Sequence, residues 1–305
     1  MRNLWPIVKQ TFLEWQEDRV PRLGAALAYY SLFSLAPVLV IAVSFAASIY
    51  GEEAAQHRLA DQLDTIVGTE MAQAIQQVTN NVNTSRSGNL AAWLSMAMVL
   101  IGATGAVVAL KDALNTVWGV VDTANVWWVL VRDRLLSLAV VFSVGCLLLA
   151  SVVLSAFLSG MSEAAERWLP VSFHLAVVVN WIVSLIVVTV LFAVVFIILP
   201  DVRIHLRDVW VGSMVTAVLF LMGRELIGFY LARVSLSSTF GAAGSLVAVM
   251  LWVYYSAQIF LLGAEFTQVY SARRGASIAP APGAKIMSEE ERRQLATSSK
   301  GKPRL

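Results

Sequence analysis

Residues 174–232 read HLAVVVNWIVSLIVVTVLFAVVFIIL (174–199), PDVRIHLRD (200–208) and VWVGSMVTAVLFLMGRELIGFYLA (209–232). At 1.5 Å per residue, each outer run is long enough to cross a hydrocarbon core of about 30 Å. The polar turn between them begins with proline and is too short for anything but a reversal. Two adjacent spans therefore form a hairpin, and the rest of the chain repeats the pattern. Further apolar runs lie near 24–50, 90–110, 135–160 and 243–268. Hydrophobic residues make up 58% of the 305 and charged residues 14%, against about 25% charged in a soluble domain; mean hydropathy is +0.71. The expected fold is an all-α polytopic membrane protein with six transmembrane helices.

Lysine and arginine set the orientation. The flanks 1–23, 111–134, 200–208 and the C-terminal tail hold 17 of them, whereas the alternate loops hold Arg58, Arg86, Arg167 and Arg233. Both termini are thus expected in the cytoplasm. Residues 1–23 read as a cytoplasmic amphipathic segment, because Leu4, Val8, Phe12 and Trp15 recur at helical spacing and suit a helix lying at the membrane interface. The transmembrane domain covers 24–270. It includes an external, periplasmic loop, 51–89, whose Leu59, Leu63, Ile66, Val67 and Met71 recur with helical period. The tail, 271–305, is rich in Ala, Pro, Ser and charge and reads as disordered. The first 22 residues hold no apolar h-region, so no cleavable signal peptide is expected. A net charge of +2 argues against nucleic acid as a partner, and the single Cys146 provides no intrachain disulfide.

Polar groups inside lipid are unfavourable and mark the candidate substrate path. In the first span these are Tyr29, Tyr30 and Ser34 beside Pro37, which should kink the helix. The kink is either a packing feature or a hinge. In the sixth span, Trp252, Tyr255 and Gln258 share a face. They form either a hydrogen-bonded seam between helices or the lining of a path. Glu265 falls near the cytoplasmic end, where Arg22, Lys111 or Arg207 could pair with it. In the second span, Gly102 and Ala106 read as close helix packing, and Lys111, Asp112, Asn115 and Trp118 as interfacial residues.

The fifth span carries Arg224 and Glu225. Neighbours on a helix point about 100° apart, so the two are not expected to pair with each other. Arg224 lies about 22 Å from the cytoplasmic end of its span, in the outer half of the bilayer. Asn180 or acids of 51–89 are its expected partners. The pair is either structural or exposed to an externally open cavity.

No HExxH, CxxC or GxxxxGK[ST] pattern occurs, and His57, His174 and His205 are scattered. The expectation is no enzyme, no catalytic residues, no metal and no cofactor.

ALAYYSLFSLAPVLV (26–40), LPDVRIHLRDVWVGSMVTAVLF (199–220) and FGAAGSLVAVMLWVYYSAQIFLLGAEF (240–266) resemble the YihY/BrkB family of bacterial inner-membrane proteins. A departure is His205-Leu206, where many members carry Pro-Trp. The resemblance implies residence in the inner membrane. It also brings an old ribonuclease label, which fits poorly with a chain lacking clustered acids or histidines, and links to virulence and envelope-lipid handling. The expected function is a transporter or lipid-translocating protein with membrane lipids as partners. The alternative is a non-catalytic scaffold in envelope assembly, partnered by envelope-assembly proteins or by copies of itself.

Overall fold

A computed structural model describes residues 5–32, 105–123, 173–233, 244–276, 279–288 and 290–291. Helix α1 runs Trp5–Glu17, α2 is described over 20–32 and α3 over 105–117. They are followed by α4 (Phe173–Ile198), α5 (Leu206–Arg233) and α6 (Gly244–Arg273). Four short strands complete the described elements: β1 Val120–Asp122, β2 Val202–Arg203, β3 Ala279–Pro280 and β4 Ala284–Ile286. Helices α4, α5 and α6 are long and apolar enough to cross a membrane, over Trp181–Ile198, Leu206–Leu231 and Leu246–Arg273. The span expected at 135–160, the loop 51–89 and most of the first two spans lie outside the described residues.

The breaks between helices have local causes. Arg19 adopts a left-handed backbone (φ 51°) between α1 and α2, and Pro21 follows in the first turn of α2, where its missing N–H is harmless. Pro200 ends α4, since it cannot donate to the helix ladder. Gly275 (φ 75°) ends α6: its N–H donates to Ala272 O (3.0 Å) and Ala276 N–H to Ser271 O (3.2 Å), the two bonds of a Schellman cap. Helix α3 continues to residue 117, well past the expected end at 110, so Lys111 and Asn115 are helical, and both are buried.

Helices α5 and α6 are joined by a reciprocal motif. Gly212 and Thr216 on α5, and Gly263 and Thr267 on α6, are each four residues apart. A Cβ on Gly212 would run into the Thr267 side chain, and one on Gly263 into Thr216. Each threonine hydroxyl donates back to the carbonyl of its own glycine, Thr216 to Gly212 O and Thr267 to Gly263 O, both at 2.7 Å. Small residues let the two backbones approach, and the hydroxyls are satisfied without leaving the interface. Above this contact, Phe192 and Phe196 of α4 meet Phe260 of α6 at 5.6 and 5.0 Å between ring centroids, and Phe192 meets Phe220 of α5 edge-on at 5.4 Å.

One end of the bundle is stitched by strands. β4 pairs antiparallel with β1 (Val120 opposite Ile286, Val121 opposite Lys285), and β3 pairs with β2. The disordered tail expected from 271 is thus corrected for 271–276 and 279–288. The helix runs on to Arg273, and 279–288 form a strap across the loops after α3 and α4. Composition misled because the strap is stabilised by backbone pairing with partners distant in sequence, plus burial of Met287 (7% exposed). Helix α1 lies against the last turns of α6, where the Arg273 guanidinium donates to Pro6 O (3.1 Å) and Gln10 Oε1 (2.9 Å). Its Trp5, Val8 and Phe12 face outward, as an interfacial helix requires.

Candidate functional site

The candidate path residues fall into three groups. The first is a seam along α6, which packs between α2 and α5. Trp252 meets Phe220 of α5 edge-on at 6.1 Å, and Tyr255 covers Gly223 of α5, where an added Cβ would lie 3.1 Å from its hydroxyl. Gln258 turns the other way. Its amide fills the space over Gly24 of α2, and Nε2 donates weakly to Val20 O at 3.5 Å. The face expected to be common to Trp252, Tyr255 and Gln258 is therefore divided between two neighbours. Two polar atoms of the seam, Trp252 Nε1 and Gln258 Oε1, are buried without a hydrogen-bond partner in the protein. Tyr30 lies against Gly105, the first described residue of α3, and meets Tyr29 edge-on at 5.7 Å. Ser34 and Pro37 lie outside the described residues.

The second group is a polar knot beneath the strap. Lys111 of α3, 4% exposed at its side chain, lies 3.0 Å from Asp201 Oδ2 and 3.6 Å from Asp122 Oδ2. Asn115, one turn on, donates through Nδ2 to Asp201 Oδ2 (3.0 Å) and accepts from Asp201 N–H (2.8 Å). The strap joins in, since Ala281 N–H donates to Asp201 O (2.8 Å). Asp208, in the first turn of α5 where the helix dipole favours an anion, accepts from Ser271 Oγ (3.1 Å) and pairs with Arg274 (3.2 Å). Glu265 is fully buried nearby on α6. Of the cations expected beside it, Arg22 and Arg207 face outward. At the strap's end, hydrogen bonds from Lys285 and Ser288 hold the Glu291 carboxyl down at about 2. Sequence reading missed the knot because Asp201 is far in the chain from Lys111, Asn115 and Asp122. The Gly-x-x-x-Thr pair at 212–216 and 263–267 was legible in the sequence and was also missed.

The third group is Arg224 and Glu225, and here the expectation is corrected. The two do pair: Arg224 Nη2 and Nε donate to Glu225 Oε1 at 2.8 and 3.1 Å. The Cβ atoms diverge by about 100°, but a long arginine at the edge of the buried face (16% exposed) reaches sideways to a glutamate that faces out (66%). The expected partner Asn180 is described in its backbone alone, and 51–89 lies outside the described residues. Among the described residues no group of three or more His, Cys, Asp or Glu is placed to hold a metal ion.

Apolar helices long enough to cross a bilayer, joined by a small-residue interface and a polar cap at one end, define a polytopic α-helical membrane protein. The profile of the virulence factor BrkB family matches residues 11–286, and the chain belongs to that family. It is 29% identical over 285 residues to a UPF0761 membrane protein of Cronobacter sakazakii, covering 87% of this chain and 90% of the relative. A Bacillus subtilis relative whose name likens it to a ribonuclease is 22% identical over 271 residues, with 88% and 96% covered. A UPF0761 membrane protein of Ralstonia nicotianae is 26% identical over 251 residues, which are 81% of this chain and 55% of the relative. The chain thus spans little more than half of some relatives' length. No solved structure matches it.

Proposed function

We propose that the chain is a non-enzymatic transporter of the bacterial inner membrane, with both termini in the cytoplasm, that moves a lipid or other envelope component across the bilayer. The observation that carries this reading is the seam at the junction of α2, α5 and α6. A helix wedged between two others in hydrocarbon needs only apolar and small side chains to pack. This one instead buries Trp252 Nε1 and Gln258 Oε1 without protein partners. Leaving a buried polar atom unpaired is unfavourable by about 1–3 kcal/mol, and a polar group kept in a membrane span at that cost is a candidate for the lining of a polar route. The cap fits the same orientation, because the flanks that contribute to it, 1–23, 111–134, 200–208 and the C-terminal tail, hold 17 of the 22 lysines and arginines, the excess that marks a cytoplasmic face.

The test is reconstitution of the purified protein in liposomes with fluorescent envelope lipids in one leaflet. The protein should accelerate equilibration between leaflets, and Gln258→Leu with Glu265→Gln should slow it. A wild-type rate equal to that of protein-free liposomes for every envelope lipid would refute transport. A double variant as fast as wild type would show that the route lies elsewhere.

A further inference from the structure

Helix α5 shows a continuous outward stripe whose members include Met214, Met222, Leu226, Phe229 and Tyr230. Spacings of three and four residues keep it on one side. Between Trp210 and Tyr230, Glu225 is the one charged residue among the outward-facing positions. Its Oε1 is held by Arg224, while Oε2 makes no hydrogen bond among the described residues. One turn further, the guanidinium of Arg233 lies over the Phe229 ring, 4.1 Å from its centroid. Arg233 is two turns beyond Glu225, but its side chain leans back along the helix as helical side chains do. An anionic and a cationic group therefore stand within two helical turns, about 12 Å along the axis, on a surface that is otherwise apolar. Between them Gly228 leaves a gap, since a Cβ there would meet nothing within 4 Å.

We propose that this part of α5 binds the headgroup of a phospholipid bearing both a phosphate and a primary amine, with the ammonium on Glu225 and the phosphate on Arg233. In an ethanolamine headgroup four covalent bonds of about 1.5 Å separate nitrogen from phosphorus, and a hydrogen bond of about 3 Å at each end lengthens the reach, so an extended headgroup bridges the two side chains. The guanidinium offers several donors to phosphate oxygens, and its position over Phe229 holds it in place. The free carboxylate oxygen accepts from an ammonium N–H. A headgroup with phosphate alone meets the Glu225 charge uncompensated, and a quaternary amine has no hydrogen to donate. The acyl chains lie along Met222 and Met214. The site deepens the transport reading by naming a substrate class, and it rests on that reading for what becomes of the lipid once bound.

The experiment is native mass spectrometry of the full-length protein in detergent. It is offered phosphatidylethanolamine, phosphatidylcholine and phosphatidylglycerol with identical acyl chains, and glycerophosphoethanolamine without them. Wild type should retain phosphatidylethanolamine about tenfold over the other lipids, the size expected of one charge-assisted hydrogen bond, and glycerophosphoethanolamine should not compete. Glu225→Gln should collapse the ratio of phosphatidylethanolamine to phosphatidylglycerol towards one by removing the repulsion, whereas Arg233→Gln should weaken both. Phe229→Leu, which leaves every charge in place, should lower retention of both and serves if a charge variant fails to accumulate. Equal retention of all three lipids by wild type, or an unchanged ratio in Glu225→Gln, would overturn the site. Competition by glycerophosphoethanolamine would do the same for a lipid as the ligand. Headgroup preference without lipid movement in liposomes would refute transport and leave the site standing, and movement without preference would do the reverse.

Discussion

Cutting the knot beneath the strap gives the sharpest test of the packing. Lys111 and Asp201 are 3.0 Å apart with side chains 4% and 7% exposed, so neither charge is well solvated if its partner is lost. Removing one member of a buried pair is destabilising by about 3–5 kcal/mol. For Asp201→Leu, loss of the Asn115 Nδ2 hydrogen bond adds about 1 kcal/mol. Asp122 at 3.6 Å still compensates part of the lysine charge, which places Asp201→Leu near 3–4 kcal/mol. Lys111→Met strands Asp201 with Asn115 as its remaining donor and should lose about 3 kcal/mol. The double variant leaves neither of these two charges unpaired and replaces the pair by apolar volume, which is often close to neutral. It should lose only about 2–3 kcal/mol, giving a coupling energy of about 3–5 kcal/mol. Reversible unfolding in mixed micelles, followed by tryptophan fluorescence, measures all four corners of the cycle. If the single effects add to within about 0.5 kcal/mol, the two side chains do not form a buried pair and the account of the cap is wrong.

Three further outcomes follow from the same packing. Gly212→Ala and Gly263→Ala should each destabilise by about 1–3 kcal/mol, because the new methyl would overlap Thr267 or Thr216; Gly228→Ala, with open space around it, should be neutral or stabilising by up to about 1 kcal/mol. Equal effects at all three glycines would refute the reciprocal interface. In a Cys146→Ser background, Val121→Cys with Lys285→Cys, which are register partners, should form a disulfide under mild oxidation, and failure to do so would remove the strap from β1. The Glu291 carboxyl is held at about 2 against an ordinary 4.5, so its contribution is present above pH 4.5 and lost as pH falls through about 2. Pepsin at pH 3 should therefore cut the strap faster in Glu291→Gln than in wild type, and the difference should vanish below pH 2; equal rates at pH 3 would refute the contact.

The spans were legible because hydrocarbon imposes a length and an apolar composition on any helix crossing it, and 174–199, 209–232 and 243–268 differ from the observed helices mainly at their ends. Those ends show what composition does not encode. Residues 269–273 continue α6, and 111–117 continue α3, because Lys111, Asn115 and Ser271 find polar partners at the cap that a span-finding rule cannot foresee. The strap was misread for a related reason: Ala279, Pro280 and Ala284 are ordinary residues of unstructured tails, and only the loops at 120–122 and 202–203 give them a partner. The error at Arg224 was geometric. The angle between adjacent Cβ atoms was treated as the angle between charges, which ignores the reach of an arginine side chain.

Polar groups in this molecule can be sorted by whether the protein itself satisfies them. At the capped end, Asp201 accepts from Asn115 and pairs with Lys111, Asp208 has Ser271 and Arg274, and the threonines of the α5–α6 interface return their protons to their own helices. These particular networks fix helix ends, so substitution at Asp201 or Asp208 should be read as loss of stability, even though Trp118 Nε1 at the same end and Ser213 Oγ on α5 are buried without a partner. Along the seam, Gln258 Oε1 and Trp252 Nε1 remain open, and on the outward stripe Glu225 uses one carboxylate oxygen and leaves the other. These groups would add little to folding in return for the unfavourable placement of polar atoms in hydrocarbon, which is the condition under which a functional role explains a residue better than packing does. The same division predicts different phenotypes. Asp201→Leu should reduce the amount of protein in the membrane, whereas Glu225→Gln should leave that amount unchanged and alter which lipid is retained. If Glu225→Gln lowered accumulation as much as Asp201→Leu, the division between closed and open polar groups would fail, and the outward charge would have to be counted as part of the scaffold.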